Sequence, residues 1–281
     1  MSLELLYKPK YLTQHPISFF ILVCALLSIS IVASILFTQE FASILFLCFC
    51  IFLILPLFIQ ILTQEEHSFA QGIFALRKHP IIKLYFIFVI ASFVTLLIWY
   101  LCSSVTLDRV IFLEQITFLS QTTQTFFVHI TGQLTGQMTQ TQNLSQAFIT
   151  IFLNNLEVLN YVFFASLIFG AGALFILLWN TSVLAVAVGQ KLQLLIASAP
   201  SLSNLLLKAI LYFVSMSFYV IFEFGAYILV AIAASIASIA FMRHRFDSKE
   251  FSIILKDVVS LYLLCLIMIL VGAALEVLTL A

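Results

Sequence analysis

Three glutamates lie in or at the edge of long apolar runs: Glu157, Glu223 and Glu276. A charged side chain at the centre of a bilayer costs about 2.5–3.5 kcal/mol or more, so each should face protein or water. Helical spacing gives each of them companions. Asn154, Glu157, Tyr161, Ala165 and Gly172 fall along one side of a helix; Glu223, Tyr227, Val230, Ala234 and Ser238 form a comparable stripe; Cys265, Gly272 and Glu276 form a third. Small residues on such faces let helices approach closely. Together with Asn155 and Asn180 these positions define a candidate intramembrane polar cluster: Asn154, Asn155, Glu157, Asn180, Glu223, Tyr227 and Glu276. Two chemistries are open to it. One is hydrogen-bonded glue between helices. The other is a proton or cation pathway, or a seat for a partner's basic segment. No Lys or Arg accompanies the glutamates within a span, so carboxylates brought together would repel.

Other catalytic constellations are missing from the sequence. None of the five histidines (His15, His67, His79, His129, His244) falls in the centre of an apolar run, where an intramembrane Ser–His pair would need one. No His-Glu-x-x-His motif occurs. Glu65-Glu66 suggests the paired glutamates of membrane prenyl-endopeptidases, but Ala70 stands where an Arg would be required. Asp257 is the one Asp near a span, so an intramembrane aspartyl dyad is excluded, and no phosphate-binding glycine loop is found. The expectation is a protein that is not an enzyme and has no catalytic residues, metal or cofactor. Cys24, Cys48, Cys50, Cys102 and Cys265 all fall in apolar runs and read as small packing residues.

The elements that carry these groups follow from composition. Of 281 residues, 63% are hydrophobic and only 9% charged, with 30 Phe, against about 25% charged in soluble domains. A water-facing surface cannot be assembled from so few charges, and there is no basic excess for binding nucleic acid. The chain reads as an all-α polytopic transmembrane bundle. About 20 apolar residues cross a bilayer, and the runs predict seven spans: 17–37, 41–62, 84–105, 159–179, 205–220, 222–242 and 258–279. The first is expected to be retained, because no small-residue cleavage site stands out. The segment 181–199 ends at Pro200 and reads as an extension of the fourth span or a shallow re-entrant piece.

The Lys/Arg bias of short loops orients the bundle with its N-terminus inside and C-terminus outside. Lys191 and Arg243 share the inner side only if an even number of crossings separates them, which argues that 205–220 crosses, with Lys208 snorkelling back. Under this arrangement the inner side holds eleven Lys/Arg and six Asp/Glu, and the outer side one against six. The loop 106–146 is then external. It is rich in Gln and Thr, and a short helix is expected at 109–120. Asn143-Leu144-Ser145 is a possible glycosylation sequon; Asn180-Thr181-Ser182 reads as internal and is set aside. Inside, 66–79 places Phe69, Ile73 and Leu76 on one face and reads as an interfacial or linker helix ended by Pro80.

One pattern is more specific. Asn154-Asn155-Leu156-Glu157-Val158-Leu159 is followed by Phe169-Gly170-Ala171-Gly172-Ala173-Leu174-Phe175, then Trp179-Asn180-Thr181-Ser182-Val183 and Gly189. Further on come Phe222-Glu223-Phe224-Gly225-Ala226-Tyr227, Arg243-His244, Asp257 and Ala273-Ala274-Leu275-Glu276-Val277. With Pro56, Glu65-Glu66 and His79-Pro80, this resembles the archaeal branch of the stage II sporulation protein M family over nearly the whole chain. One departure is that Tyr219 and Val220 replace the family's usual His-Gly pair, and Phe222 a common Pro. The resemblance implies a multi-pass plasma-membrane scaffold that holds envelope- or membrane-remodelling protein partners. Residues 1–83 would form an N-terminal hairpin with a cytoplasmic segment, and 84–281 the core. A channel or transporter using these glutamates, expected in the outer leaflet, is the alternative.

Overall fold

The computed structural model describes residues 9–69, 80–121, 140–169, 171–198, 201–243 and 248–280. Among them there is no strand, and seven helices are long and apolar enough to cross a membrane. A short α1 (Pro9–Gln14) leads into α2 (Pro16–Phe37) and α3 (Ala42–Phe69). Pro16 opens α2, where its missing N–H removes nothing from the helix. After α4 (Pro80–Cys102) come α5 (Val105–Ile111), capped by the Ser104 side chain, and α6 (113–121). The remaining helices are α7 (Gln140–Phe169), α8 (Ala173–Ser198), α9 (Leu202–Arg243) and α10 (Lys249–Leu280). The all-α polytopic bundle expected from the apolar runs is the fold of the molecule.

Packing divides the helices into two groups. On one side α2 packs on α3 and α4, and α4 on α8; on the other, α9 packs on α10 and α7, and α7 on α10. The first group is knit by aromatic rings, with Phe58 against both Tyr85 and Phe88 at one end and Phe112 against Phe46 and Tyr100 at the other. Edge contacts of this kind add about 0.5–1.5 kcal/mol each to area burial.

Side-chain contacts set the helix directions. Cys24 lies on the Ala91 carbonyl and Trp99 donates to Ser28, so α2 and α4 run parallel. Gly225 lies on Met268 and Phe241 on Phe251, so α9 and α10 are antiparallel. Tyr85 faces Ser235, while Tyr100 packs on Gly189. Lys83, Lys249 and Lys256 therefore share one end of the bundle. The chain enters its first span from that end and leaves its last at the other.

The total of seven spans stands, but three of its members do not. The expected span 159–179 is interrupted. The chain turns at Ala171–Gly172, and the Leu174 N–H donates to the Ala171 carbonyl. A Cβ on Gly172 would come within 2.5 Å of the Ala165 oxygen, so only glycine allows the returning backbone to pass there. Gly172, read as a helix-packing residue, thus forms part of a reversal, and 181–199 belongs largely to α8, a span-length helix. Conversely, the expected spans 205–220 and 222–242 are one continuous 42-residue helix. No Gly, Pro or charge between Tyr219 and Ile221 offers a break. One crossing is gained at α8 and one lost in α9.

The parity argument falls with this exchange. One span separates Lys191 from Arg243, and Lys191 and Lys208 lie toward the end opposite Lys83 and Lys256. Within the expected loop 106–146, α5 and α6 stand where one short helix was expected at 109–120, and α7 starts at Gln140. Asn143 falls in the first turn of α7. The segment read as an interfacial helix at 66–79 lies outside the described residues beyond Phe69, where α3 ends.

The revised path is open to direct measurement. In a cysteine-free background, Lys191→Cys and Lys208→Cys should react with a membrane-impermeant maleimide from the side opposite Lys256→Cys. Labelling of all three from one side would contradict the single crossing of α9.

Candidate functional site

The polar groups within the spans sort into one assembled cluster and several separate positions. Glu223 and Tyr227 are four residues apart on α9 and share a face. From α7, Asn155 donates its Nδ2 to Glu223 Oε1 at 2.7 Å, and the Tyr227 hydroxyl donates to Asn155 Oδ1 at 2.8 Å. Glu276 of α10 brings its carboxyl within hydrogen-bonding reach of Glu223. Two carboxyl groups can be joined this way only if one holds a proton, because an ionised carboxylate only accepts. Asn155, Glu223 and Tyr227 are buried, at 7%, 8% and 3% exposure.

Gly272 makes room for this arrangement. A Cβ there would stand 2.9 Å from Glu223 Cγ and 3.5 Å from its Oε1. The glycine of α10 therefore determines where the α9 carboxyl can lie, and Glu276 follows one turn later on the same face. The geometry links three helices through one side chain from α7, two from α9 and one from α10. Chemically it can hold a proton between two carboxyls and satisfy every polar atom of Asn155 that faces the interior.

The other candidate residues do not join it. Glu157 and Asn154 lie on the exposed side of α7. Glu157 accepts from the Tyr161 hydroxyl at 2.5 Å, one turn along the same helix. Asn180 belongs to α8 and donates back to the Ile176 carbonyl at 2.8 Å. A site shared by all three glutamates is therefore not formed: Glu223 and Glu276 meet, and Glu157 faces away. Among the described residues no three His, Cys, Asp or Glu are grouped to hold a metal.

Polar contacts at two places went unrecognised in the sequence. Tyr262 of α10 donates to Asn160 Oδ1 of α7 at 2.6 Å, closing the same helix pair nearer the basic end. The signal for it was a further Asn inside an apolar run. The second lies at the opposite end. Ser103 donates to Asp108, and Gln115 Nε2 reaches the Ser43 carbonyl at 3.3 Å, tying α5 and α6 to the start of α3. Burial raises the Asp108 carboxyl above its ordinary value, and the Ser103 hydrogen bond opposes part of that rise.

No known protein family, curated protein or solved structure matches this chain.

Two outcomes follow for purified protein. Asn155→Leu strips the partner from Tyr227 and one donor from Glu223, and should lower stability by about 1–3 kcal/mol; Glu223→Gln, which keeps an acceptor and a donor, should cost clearly less in the same unfolding assay. The Asp108 carboxyl is raised in the fold, so the unfolded chain gives up its proton first. Its contribution is complete below the ordinary carboxylate range, at about pH 4, and is lost as pH rises through the higher folded value. Thermal unfolding followed upward from there should decline in the wild type and decline less in Asp108→Asn.

Proposed function

We propose that this chain is a non-enzymatic membrane scaffold of the stage II sporulation protein M type, multi-pass in the plasma membrane, that holds envelope- or membrane-remodelling partners. The observation that carries the reading is the length of α9. Its 42 residues extend ~63 Å at ~1.5 Å per residue, about twice a ~30 Å hydrocarbon core. Tyr100, near the end of α4, is level with Gly189. Beyond that level α8 runs on to Ser198 and α9 returns from Leu202. This projecting pair still exposes Leu194, Ile196, Leu202, Leu206, Ile210 and Val214. An exposed apolar surface that continues past the thickness of the bilayer is a surface for other proteins. It lies at the same end as α5 and α6, so a partner could engage both. The resemblance of the Asn-Asn-Leu-Glu and late Ala-Leu-Glu stretches to that family supports the same class of role.

The buried cluster fits this reading as the fastening of α7, α9 and α10, which holds the base of the projecting pair. A second reading, proton or cation transport, is favoured by one observation, the contact of two carboxyls within the spans.

The two readings separate in two assays. Replacing Leu206, Ile210 and Val214 together by Ser should release envelope proteins that co-purify with the wild type, while the far-ultraviolet helix signal is kept; retention of every partner counts against scaffolding. In liposomes, a proton or cation flux that is abolished by Glu223→Gln or Glu276→Gln would establish transport, and a wild type without flux would sink it.

A further inference from the structure

α9 and α10 run antiparallel, and their register fixes where each ends against the other. Phe241 meets Phe251, Gly225 meets Met268, and Glu223 meets Gly272. Carried on by two turns, the same register brings Leu280, the end of α10, level with Ser215. α9 begins at Leu202, so its first turns stand with no α10 beside them. Glu276 lies one turn from the end of α10. Its contact with Glu223 therefore sits where α10 gives out and α9 runs on alone.

Two carboxyls make that contact, and no cation is among the groups that act on them. Asn155 of α7 donates to Glu223. Tyr219 and Tyr227 of α9, one turn to either side of Glu223, are the titratable groups that feel both carboxyls. Glu157 of α7 lies on the exposed side of its helix. α3, α4 and α8 also pack on α9, and among the described residues no Lys, Arg or His of theirs acts on Glu223 or Glu276. Bare of their shared proton, the two carboxylates would repel, and more strongly within a span than in water. The Glu223 side chain has little room to turn away instead. Gly272 is packed against it so closely that a Cβ there would stand 2.9 Å from its Cγ. Relief must come from movement of the helix end.

We infer that the Glu223–Glu276 pair is a pH-operated clasp: with its proton it fastens the last turns of α10 to α9, and without it those turns come away from the base of the projecting part of α9. Glu276 is half-buried and stands one turn nearer than Glu223 to the end opposite the basic groups, so the pH at that end sets the clasp. It is closed in acid and open in alkali. α9 is unbroken from Glu223 to Leu202, a length of ~32 Å at ~1.5 Å per residue, so a tilt at the clasp is carried to the tip. The clasp acts on α9 whether or not a partner is docked there, and it needs no net passage of protons across the membrane.

The test uses the full chain in a cysteine-free background, reconstituted in lipid nanodiscs and spin-labelled at Val214→Cys on α9 and Leu278→Cys on α10, both exposed positions. Double electron–electron resonance reads the distance between the labels from about pH 5 to about pH 9, the range into which buried carboxyls are displaced. The labelled parent should show one short distance at the acid end and lose it, for a longer and broader distribution, at the alkaline end. Glu223→Gln, whose amide donates to Glu276 at every pH, should keep the short distance throughout. Labels at the other end of the same helices, Phe241→Cys with Ile253→Cys, should not respond. A short distance that persists to the alkaline end in the parent overturns the clasp. So does a Glu223→Gln chain that opens as the parent does, and so does equal opening at the Phe241 and Ile253 pair. Should Glu223→Gln not fold, Glu276→Gln supplies the amide from α10 and is judged by the same outcomes. None of these outcomes depends on a co-purifying protein or on ion flux.

Discussion

Hydrocarbon offers no hydrogen bonds, and most of this structure follows from that constraint. A carboxyl in a span must be met by protein, and the meeting of Asn155, Glu223, Tyr227 and Glu276 brings three helices to one point. Gly272 opposes Glu223 because a larger residue would leave the carboxyl no room. Tyr262 and Asn160 repeat the arrangement lower in the bundle. The second half of the molecule is thus registered by polar contacts, each worth little alone. The first half is registered by ring packing among Phe58, Tyr85, Phe88, Phe112 and Tyr100. Lipid and apolar side chains solvate one another equally well, so close packing and hydrogen bonds, more than hydrophobic burial, decide how such helices associate.

The same constraint gives meaning to surfaces left open. Exposed Leu and Ile on α2 or α10 need no explanation where lipid surrounds them. Apolar residues on α9 that stand beyond the length of a bilayer, and a glutamate at mid-depth on α7, are different cases. One is apolar where water is expected and the other polar where lipid is expected. Both are mismatches between a surface and its solvent, and under the proposed scaffold role protein contact would resolve the first.

Much of the architecture was legible beforehand. Charge content and unbroken apolar runs led to a helical membrane bundle, to seven spans, and to the basic end. Glu223, Tyr227 and Glu276 were recognised from helical spacing alone, because i, i+4 positions share a face whatever the tertiary structure. The division into spans was less legible. Gly172 was read as a packing residue within a span and proved to be a turn, and the long α9 was divided in two to satisfy the placing of Lys191. Glycine supports close packing and reversal equally well in a sequence, so its role depends on whether the backbone of Ala165 stands opposite. Glu157 was grouped with the other glutamates because a sequence reports the face of a helix but not what the face looks toward.

The sequence by itself determined the solvent of this protein, its secondary structure, and the faces on which polar groups would lie, because these depend on composition and on the period of a helix. Only the tertiary structure decided which of those faces meet. It placed Asn155 against Glu223 and Tyr227, set Gly272 opposite Glu223, and turned Glu157 outward. The reason is that rotation and register between helices are set by short-range contacts among residues 68 to 102 positions apart, such as Asn155 with Glu223 and Asn160 with Tyr262. No local period in the chain encodes those pairings.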